Sequence, residues 1–279
     1  YNTYGDIQIE ATRTSPESLD LQKLLKDMVD AQMEFVVMEV SSHALELDRV
    51  YGIRFSVGVF TNLSEEHLDF HKTMDNYLNA KAKLFSMSDF AIINGDDIYA
   101  PRLKKMINTK VATFGLDNDV NLTATDIRIN ADYVEFKMYI NKMLETIHVN
   151  IPGRFTVYNS LAAIGVCSLF NCQIDAILLA LNNVKVPGRS EIVDIQKTFT
   201  VMIDYAHNPS SLEAILTATK KHAKSRVICV FGCGGNRDKL KRPVMGEIAG
   251  RLADFTVITT DNPRDEDPKL IMTDIEEGI

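Results

Sequence analysis

Two stretches of the chain decide its fold: FVVMEVSSH at residues 35–43 and FSVGVFTNLSEEHLDFH at residues 55–71. Each begins with a short apolar run that contains β-branched or aromatic residues and then turns polar. Such runs are typical of strands buried in a parallel sheet. Ligands of these sheets gather beyond the carboxyl ends of the strands. The pattern therefore predicts one site, built from polar strand-end residues and a lysine on the following helix: Glu39, Ser41, Asn62, His67 and Lys81.

A rhythm of strand and helix continues along the first half of the chain, as in βαβ units. Strand-like runs at 35–40, 55–60, 90–93 and 111–114 alternate with helical patterns at 16–33, 74–87 and 97–107. The period then changes to two, which predicts antiparallel strands at 124–129, 133–138 and 145–149 with turns at 130–132 and 141–142. Two further helices are predicted at 156–170 and 173–183.

A second α/β rhythm follows Pro187-Gly188, which is the predicted hinge. The expected strands are 191–195, 199–204, 226–231 and 255–260, and the expected helices begin at Asn208-Pro209 and span 241–252. We therefore predict two α/β domains. Residues 1–186 form a central parallel-sheet nucleotide-binding domain with a small antiparallel β insertion, and residues 187–279 form a truncated Rossmann-like domain.

The composition indicates an ordinary globular protein. Of 279 residues, 46% are hydrophobic and 24% are charged, and the formal net charge of −8 argues against a nucleic-acid groove and gives no support for an anionic membrane surface. The four cysteines lack metal-ligand spacing, so we expect reduced core thiols in a cytoplasmic protein. The chain begins at Tyr1 and ends at Gly278-Ile279 within a predicted helix, which favours a piece of a longer chain.

The first-domain site has mixed chemistry. A carboxylate such as Glu39 suits a hard divalent cation, and His67 can serve as a further ligand. Lys81 is unusual there, since an ammonium either neutralises phosphate or is repelled by the metal. Taken singly, the three side chains fit a satisfied strand-end acid, a helix-capping histidine and a solvated lysine, but together they favour function. His67 and His71 stand four apart, yet the glutamate of a zinc HExxH motif is absent.

Other motifs suggest anion contacts. Thr14 and Ser15 precede Pro16, and such a helix start can hold a carboxylate or phosphate or be a plain cap. Arg49 can likewise reach an anionic substrate or remain a surface charge. Asp204 and His207 stand where a predicted strand meets a helix N-terminus.

A glycine-rich loop and an arginine turn follow in the second domain. The loop at 232–235 lacks the spacing of a P-loop but can expose backbone N–H groups to a ligand. Positive charge near the loop comes from Lys239, Lys241 and Arg242. The Asn-Pro turn before Arg264 can present a guanidinium to a carboxylate, or it is an Asx-turn with a solvated arginine.

The ordered motifs resemble those of the Mur ligases, the ATP-dependent ligases of peptidoglycan synthesis. They are TSP, EVSSH, FTNLSEEHLDFH, YLNAKAKLF, PGRSE, DYAHNP, GCGGNRDKLKRP and DNPR, and they span essentially the whole chain. Within the family, the chain looks most like the members that add the third residue of the stem peptide.

The resemblance implies a reaction and a set of roles. ATP would phosphorylate the carboxylate of UDP-N-acetylmuramoyl-L-Ala-D-Glu, and the amine of meso-diaminopimelate would attack the acyl phosphate. Glu39 and His67 would bind magnesium, and Lys81 would carry a CO2-derived carbamate that turns it into an anion able to support the metal. The implied contacts to the UDP-muramoyl-dipeptide are Thr14, Ser15, Ser41 and Arg49. Those to the nucleotide are Asn62, Arg189, Asp204, Tyr205 and His207. Those to the amino acid are Arg237, Asp261, Asn262 and Arg264.

The resemblance also has gaps. The family's P-loop and uridine-binding domain would precede residue 1, and a glycine-rich segment would follow Ile279, so we expect this chain alone to be inactive and its parent to be a monomeric ligase. Ser15 replaces a threonine that is common in relatives. The alternatives are an L-lysine-adding homologue, which the arginine of DNPR disfavours, a ligase of the folylpolyglutamate or cyanophycin type, and a non-catalytic ligase-like binding module.

Overall fold

The computed structural model describes residues 1–117, 119–130, 132–193, 195 and 197–279. The chain divides into two compact units, one formed by Tyr1–Ala124 with Tyr158–Cys172 and the other by Thr125–Val157 with Gln173–Ile279. These units place the antiparallel insertion with the second half of the chain, whereas the sequence pattern placed it in a first domain ending at residue 186. The domain boundary near Pro187 stays a prediction.

The first unit contains a parallel sheet preceded by a small hairpin. Its strands are β1 (Asn2–Tyr4), β2 (Ile7–Ile9), β3 (Phe55–Phe60), β4 (Ser88–Asn94), β5 (Lys110–Gly115) and β6 (Leu122–Thr123). Its helices are α1 (Ser18–Asp30), α2 (Ser42–Glu46), α3 (Leu68–His71), α4 (Met74–Ser86) and α5 (Ala100–Met106). The hairpin β1–β2, the strand β6 and the short helices α2 and α3 have no clear sequence signal.

The sheet has the order β3-β4-β5-β6, and all its neighbours run parallel. Parallel neighbours need a crossover, which α4 and α5 supply. The apolar faces of these helices pack on the strands and bury Phe60, Leu78, Phe85, Ile93 and Leu103. This packing fixes the ends of β3 and β4, where the candidate site lies.

The strand predicted at 35–40 is wrong. These residues have the apolar pattern of a strand but form none, and no described segment pairs with them. Phe35 and Val37 are exposed, Val37 by 96%. An apolar β-branched run favours the strand conformation, but a strand exists only when a neighbour completes its hydrogen-bond ladder. Residues 39–41 are held by other contacts, described below.

The second unit begins with the predicted antiparallel insertion. Its strands β7 (Thr125–Ile129), β8 (Val134–Ile140) and β9 (Met143–Val149) form a meander in that order. Asn141 and Lys142 both have positive φ and close the β8–β9 hairpin, as the pattern indicated. The other predicted turn includes Ala131, which lies outside the described residues.

Short strands and longer helices complete this unit. Helix α6 (Arg154–Leu169) begins in this unit but belongs to the first unit from Tyr158 onwards, whereas α7 (Ile174–Asn183) lies in the second unit. The remaining elements are β10 (Glu191–Val193), β11 (Val201–Ile203), α8 (Pro209–His222), β12 (Ile228–Phe231), α9 (Lys241–Leu252), β13 (Phe255–Ile258) and α10 (Pro268–Glu276). Asp194, within the strand predicted at 191–195, lies outside the described residues. β10 and β11 pair antiparallel, whereas β12 and β13 pair parallel.

The cysteines only partly match the expectation of core thiols. Cys229 and Cys233 are buried, Cys167 is half-buried and Cys172 is exposed, and all four are free thiols. Among the helices of the described residues, none is long and apolar enough to cross a membrane.

Candidate functional site

The Ser15 hydroxyl holds the loop that carries Glu39 and Ser41. It donates a hydrogen bond to the Glu39 carbonyl at 2.9 Å and accepts one from the Ser41 N–H at 2.9 Å. Ser15 is 1% exposed, so both of these backbone groups have a buried partner. The Ser41 side chain in turn accepts from the Ala44 N–H and caps α2. Residues 39–41 are therefore positioned without a β-ladder.

Lys81 lies on α4, with its ammonium over the Tyr77 ring at 5.3 Å from the centroid. Burial lowers the pKa of Lys81, and the nearby carboxylates of Glu39, Glu66 and Asp97 oppose that fall. The Glu39 carboxylate thus lies near enough to Lys81 to act on its pKa. A lysine whose pKa is lowered has more of the neutral, nucleophilic amine at a given pH.

Three histidines cluster beside this lysine. The rings of His43 and His67 meet edge to face at 5.0 Å, and His71 stacks flat on Tyr77 at 4.7 Å. His71 is buried, and its Nε2 lies 2.9 Å from the Ser42 hydroxyl. His67 has a left-handed backbone, with φ of 58°, and directly precedes α3.

Burial lowers the pKa of two of these imidazoles. Burial lowers the pKa of His43, and the neighbouring His67 lowers it further. Burial also lowers the pKa of His71, with His43 as the next cause. The sequence indicates His71 only as a candidate zinc ligand and gives no role to His43. Their spacing in the motifs EVSSH and HLDFH was the available signal.

Asp97 joins the ends of two neighbouring strands and was also missed. Its carboxylate accepts hydrogen bonds from the Leu63 N–H, beyond β3, and from the Tyr99 N–H, each at 2.9 Å. Asn94 at the end of β4 donates to the Thr61 carbonyl at 2.8 Å. These bonds fix the loop that contains Asn62, whose own side chain is exposed. The NGDD turn at residues 94–97 is the sequence signal for this contact.

Arg49 is buried rather than a surface charge. It is 8% exposed, and its Nε lies 3.1 Å from the Glu17 carboxylate. Glu17 also pairs with the exposed Arg13 at 3.2 Å. Thr14, beside this pair, is exposed. The predicted dipeptide contacts Thr14, Ser15, Ser41 and Arg49 thus all belong to the first unit.

The second unit brings four predicted nucleotide contacts together. Asp204 accepts hydrogen bonds from the Ser190 and Ala206 N–H groups, both at 2.8 Å. The Arg189 guanidinium lies 4.5 Å from the centroid of the Tyr205 ring. His207 packs against Tyr205 at 5.1 Å and precedes the capping box of α8. An arginine and an aromatic ring that are both exposed can hold a planar or anionic ligand group.

The glycine-rich loop serves a close contact between two loops. A Cβ at Gly235 would lie 1.8 Å from the Pro263 carbonyl oxygen, and one at Gly232 would lie 2.3 Å from the Thr259 carbonyl oxygen. The Gly235 N–H donates to the Asn262 carbonyl at 2.9 Å. The glycines therefore let the two loops meet backbone to backbone. The sequence pattern, in contrast, predicts a loop whose backbone N–H groups are open to a ligand.

This contact orients Arg264. Its Nη1 donates to the Gly235 carbonyl at 2.6 Å, and its backbone φ is 50°. The Arg264 side chain is exposed, as are Arg237 and Asp261. The predicted amino-acid contacts thus share one surface formed by the two loops.

Arg242 is a buried structural residue rather than a surface charge beside the loop. It is 0% exposed and donates to Glu266 at 2.9 and 3.0 Å and to Asp274 at 2.7 Å. The Arg242 guanidinium, followed by the Asn236 N–H, lowers the pKa of Glu266 to about 2. The sequence offers no local signal for this pairing, since the partners lie 24 and 32 residues away.

Comparison with protein families decides the classification. The Mur ligase middle domain matches residues 1–167, more than half of the chain, and the Mur ligase glutamate ligase domain matches residues 188–279. The chain belongs to the Mur ligase family.

Curated relatives and solved structures agree with this assignment. The UDP-N-acetylmuramoyl-L-alanyl-D-glutamate–2,6-diaminopimelate ligase of Clostridium botulinum is 48% identical over 282 residues, which cover 100% of this chain and 58% of the relative. The enzyme of the same name from Geobacillus kaustophilus is 43% identical over 285 residues, 99% of this chain and 58% of the relative. The chain spans 58% of the length of these Mur ligase relatives.

A solved UDP-N-acetylmuramoyl-L-alanyl-D-glutamate–2,6-diaminopimelate ligase superposes with a TM-score of 0.70 at 31% identity, covering 95% of this chain and 56% of that one. Folylpolyglutamate synthase of Mycobacterium tuberculosis superposes with a TM-score of 0.63 at 20% identity, covering 80% and 52%. The second likeness shows a shared fold alone.

The donor set near Lys81 fits magnesium. Within the described part of the chain, no three His, Cys, Asp or Glu side chains converge as a metal site. Magnesium usually binds one or two protein carboxylates and takes its remaining ligands from phosphate and water. Glu39, whose carboxylate acts on the pKa of Lys81, is one such carboxylate.

Proposed function

We propose that the protein carrying this chain is an ATP-dependent ligase that joins meso-diaminopimelate to UDP-N-acetylmuramoyl-L-alanyl-D-glutamate in peptidoglycan synthesis. The observation that carries the proposal is Lys81, whose lowered pKa and neighbouring Glu39 give the chemistry a defined centre. The names of the relatives that are 43% to 48% identical support the choice of substrates.

Lys81 acts as a carbamate. Its neutral amine attacks CO2, forms an N–C bond and releases a proton. Burial lowers the pKa of Lys81 and so raises the fraction of neutral amine, while the Tyr77 ring holds the side chain in place. The Lys81 carbamate would then be a third magnesium ligand, beside the Glu39 carboxylate and the His67 imidazole. This removes the conflict between an ammonium and a metal site.

ATP, when bound, would transfer its γ-phosphoryl group to the substrate carboxylate and leave as ADP, and magnesium would offset the charge of the phosphates. The chain's own residues position the reactants. Ser15 fixes the backbone of Glu39, and Asp97 fixes the loop of Asn62. Arg49 and the exposed Thr14 face the anionic peptide substrate. Formation of the amide from the attacking amine then expels phosphate.

Arg264 selects the amino acid. Its guanidinium, oriented by the Gly235 carbonyl, binds the distal carboxylate of meso-diaminopimelate, which L-lysine lacks. Arg237, Asp261 and Asn262 complete the surface around the amino acid. Arg189, Asp204, Tyr205 and His207 contact the nucleotide.

The function is tested by amino-acid-dependent ADP release from the full-length protein with magnesium, bicarbonate and UDP-muramoyl-dipeptide. We expect turnover with meso-diaminopimelate and little with L-lysine. Arg264→Lys should raise the KM for meso-diaminopimelate, whereas Arg251→Lys, an exposed arginine on α9, should not. Equal turnover with both amino acids would contradict the role of Arg264, and a folded protein inactive with either would contradict the ligase assignment.

The carbamate is tested separately by carbon-13 NMR after incubation with labelled bicarbonate. We expect a carbamate resonance that disappears in Lys81→Arg and remains in Lys83→Arg, two residues along the same helix. A spectrum without this resonance in active wild-type protein would exclude the carbamate but leave the ligase assignment intact. We further expect a cytoplasmic monomer acting on small molecules, without a nucleic-acid or membrane partner.

A further inference from the structure

The C-terminus of α6 places two cysteines side by side. The Cys172 N–H donates to the Cys167 carbonyl at 3.1 Å, and the Asn171 N–H donates to the Ser168 carbonyl at 3.3 Å. Asn171 has the left-handed φ of 53°. These two bonds and this conformation define a Schellman cap, in which the residues at the positions of Cys167 and Cys172 normally make a side-chain contact. Here two thiols occupy that contact.

The two thiols differ in solvent exposure. Cys172 is exposed and Cys167 is half-buried. Burial raises the pKa of Cys167, and the adjacent Cys172 thiol, which is hydrogen-bonded to it, raises the pKa further. Neither residue has a part in the proposed ligase chemistry. An exposed thiol beside a protected one is the arrangement in which a small oxidant reacts first at one sulfur and the second sulfur resolves the product.

We propose that Cys167 and Cys172 form a reversible intrachain disulfide by exchange with an oxidised small-molecule thiol. The Cys172 thiolate attacks the disulfide of the oxidant, forms a mixed disulfide and releases one small thiolate. The Cys167 thiolate then attacks the Cys172 sulfur and releases the second. Two protein thiols and one small disulfide thus become one protein disulfide and two small thiols, and a dithiol reductant reverses the exchange.

The geometry of the cap favours this bond. A disulfide requires Cα atoms within roughly 4.4–6.8 Å, and the hydrogen bond from Cys172 to the Cys167 carbonyl keeps the two backbones adjacent. Because the second step is intramolecular, the Cys167 thiol acts at an effective concentration of the order of millimolar. The mixed disulfide on Cys172 should therefore be short-lived.

The test is peptide mapping of the full-length protein after incubation with oxidised glutathione. Trypsin releases both thiols in one peptide, residues 155–185, because the chain has no Lys or Arg between Arg154 and Lys185. We expect this peptide to lose two hydrogens, resist alkylation and recover with dithiothreitol. Cys167→Ser should instead accumulate the glutathione adduct on Cys172, about tenfold more than wild type.

Cys229→Ser is the matched control, since Cys229 is buried in the second unit, and it should leave the disulfide unchanged. Two stable glutathione adducts on the wild-type peptide, or thiols that stay fully alkylatable throughout, would overturn the proposal. Because the readout is the mass of one peptide, the outcome does not depend on ligase activity.

Discussion

Replacement of Arg242 by methionine should weaken α9 selectively. Methionine keeps an unbranched apolar stem and a comparable helix propensity, so the change removes the guanidinium with its charge and its hydrogen bonds. It breaks the bonds of the Arg242 guanidinium to Glu266 at 2.9 and 3.0 Å and to Asp274 at 2.7 Å.

The size of the expected stability loss follows from the burial of Arg242 and its two partners. Removing one partner of a buried ion pair costs roughly 3–5 kcal/mol, because the other charge stays desolvated. Arg242 has 1% side-chain exposure, but Glu266 and Asp274 have 19% and 37%. Glu266 also keeps its bond from the Asn236 N–H. We therefore expect Arg242→Met to lower the free energy of opening of α9 by about 3 kcal/mol, the lower end of that range.

Hydrogen exchange of peptides that cover α9, measured in the full-length protein, reports the free energy of local opening of this helix. A loss of about 3 kcal/mol predicts exchange roughly 100-fold faster. The control is Arg251→Met on the same helix, whose pair with Glu213 is half-exposed on both sides, and it should cost about 0.5 kcal/mol, or roughly twofold.

Equal effects of Arg242→Met and Arg251→Met would refute the reasoning, since the buried pair would then contribute no more than a surface pair. A second variant tests the cause. Glu266 keeps its pair with Lys239 at 3.2 Å in Arg242→Met but loses its buried partner, so adding Glu266→Gln should slow exchange again relative to Arg242→Met alone. Faster exchange in the double variant would assign the loss to packing rather than to charge.

Further predictions concern pH, a buried hydroxyl and a glycine. Because Arg242 lowers the pKa of Glu266 from 4.5 to about 2, the stability that Glu266 contributes is complete above about pH 4.5 and is lost as the pH falls towards 2; exchange of α9 in Glu266→Gln should lack this dependence. Ser15→Ala removes the buried hydroxyl that pairs with the Glu39 carbonyl and the Ser41 N–H and should lower the stability of their loop by roughly 1 kcal/mol, whereas Ser15→Thr should keep it, as measured by exchange of residues 39–41. Gly235→Ala forces two loops apart and should raise the KM for the amino acid about tenfold, while Gly250→Ala, on an exposed helix face, should leave it unchanged.

The regular elements of the fold could largely be predicted because their apolar periods are local. The strands β3, β4 and β5 and the helices α4 and α9 lie where the pattern placed them. The segment at 35–40 could not be predicted in this way. Its residues have the propensity of a strand, but pairing depends on a neighbour that no local pattern describes.

Only part of the candidate site follows from local patterns. Lys81 lies on α4, which the apolar period predicts, whereas Glu39 lies in the segment whose predicted strand is absent. The Glu39 carboxylate nevertheless lies near enough to act on the pKa of Lys81. The residues that hold the surrounding loops in place could not be predicted. Asp97 accepts a hydrogen bond from the Leu63 N–H, 34 residues away, and Ser15 donates one to the Glu39 carbonyl. Contacts to backbone groups leave no mark on the identity of the partner residue, so sequence patterns do not reveal them.

The contact between residues 232–235 and the DNPR turn limits how substrate choice can change. Since the Gly235 backbone both fits against the Pro263 carbonyl and accepts a hydrogen bond from the Arg264 side chain, the two segments form one structural unit. A chimaera that exchanges only the four residues of DNPR would keep a partner loop shaped for the original turn. Under the role proposed for Arg264, amino-acid preference should therefore be transferable only when both segments are moved together.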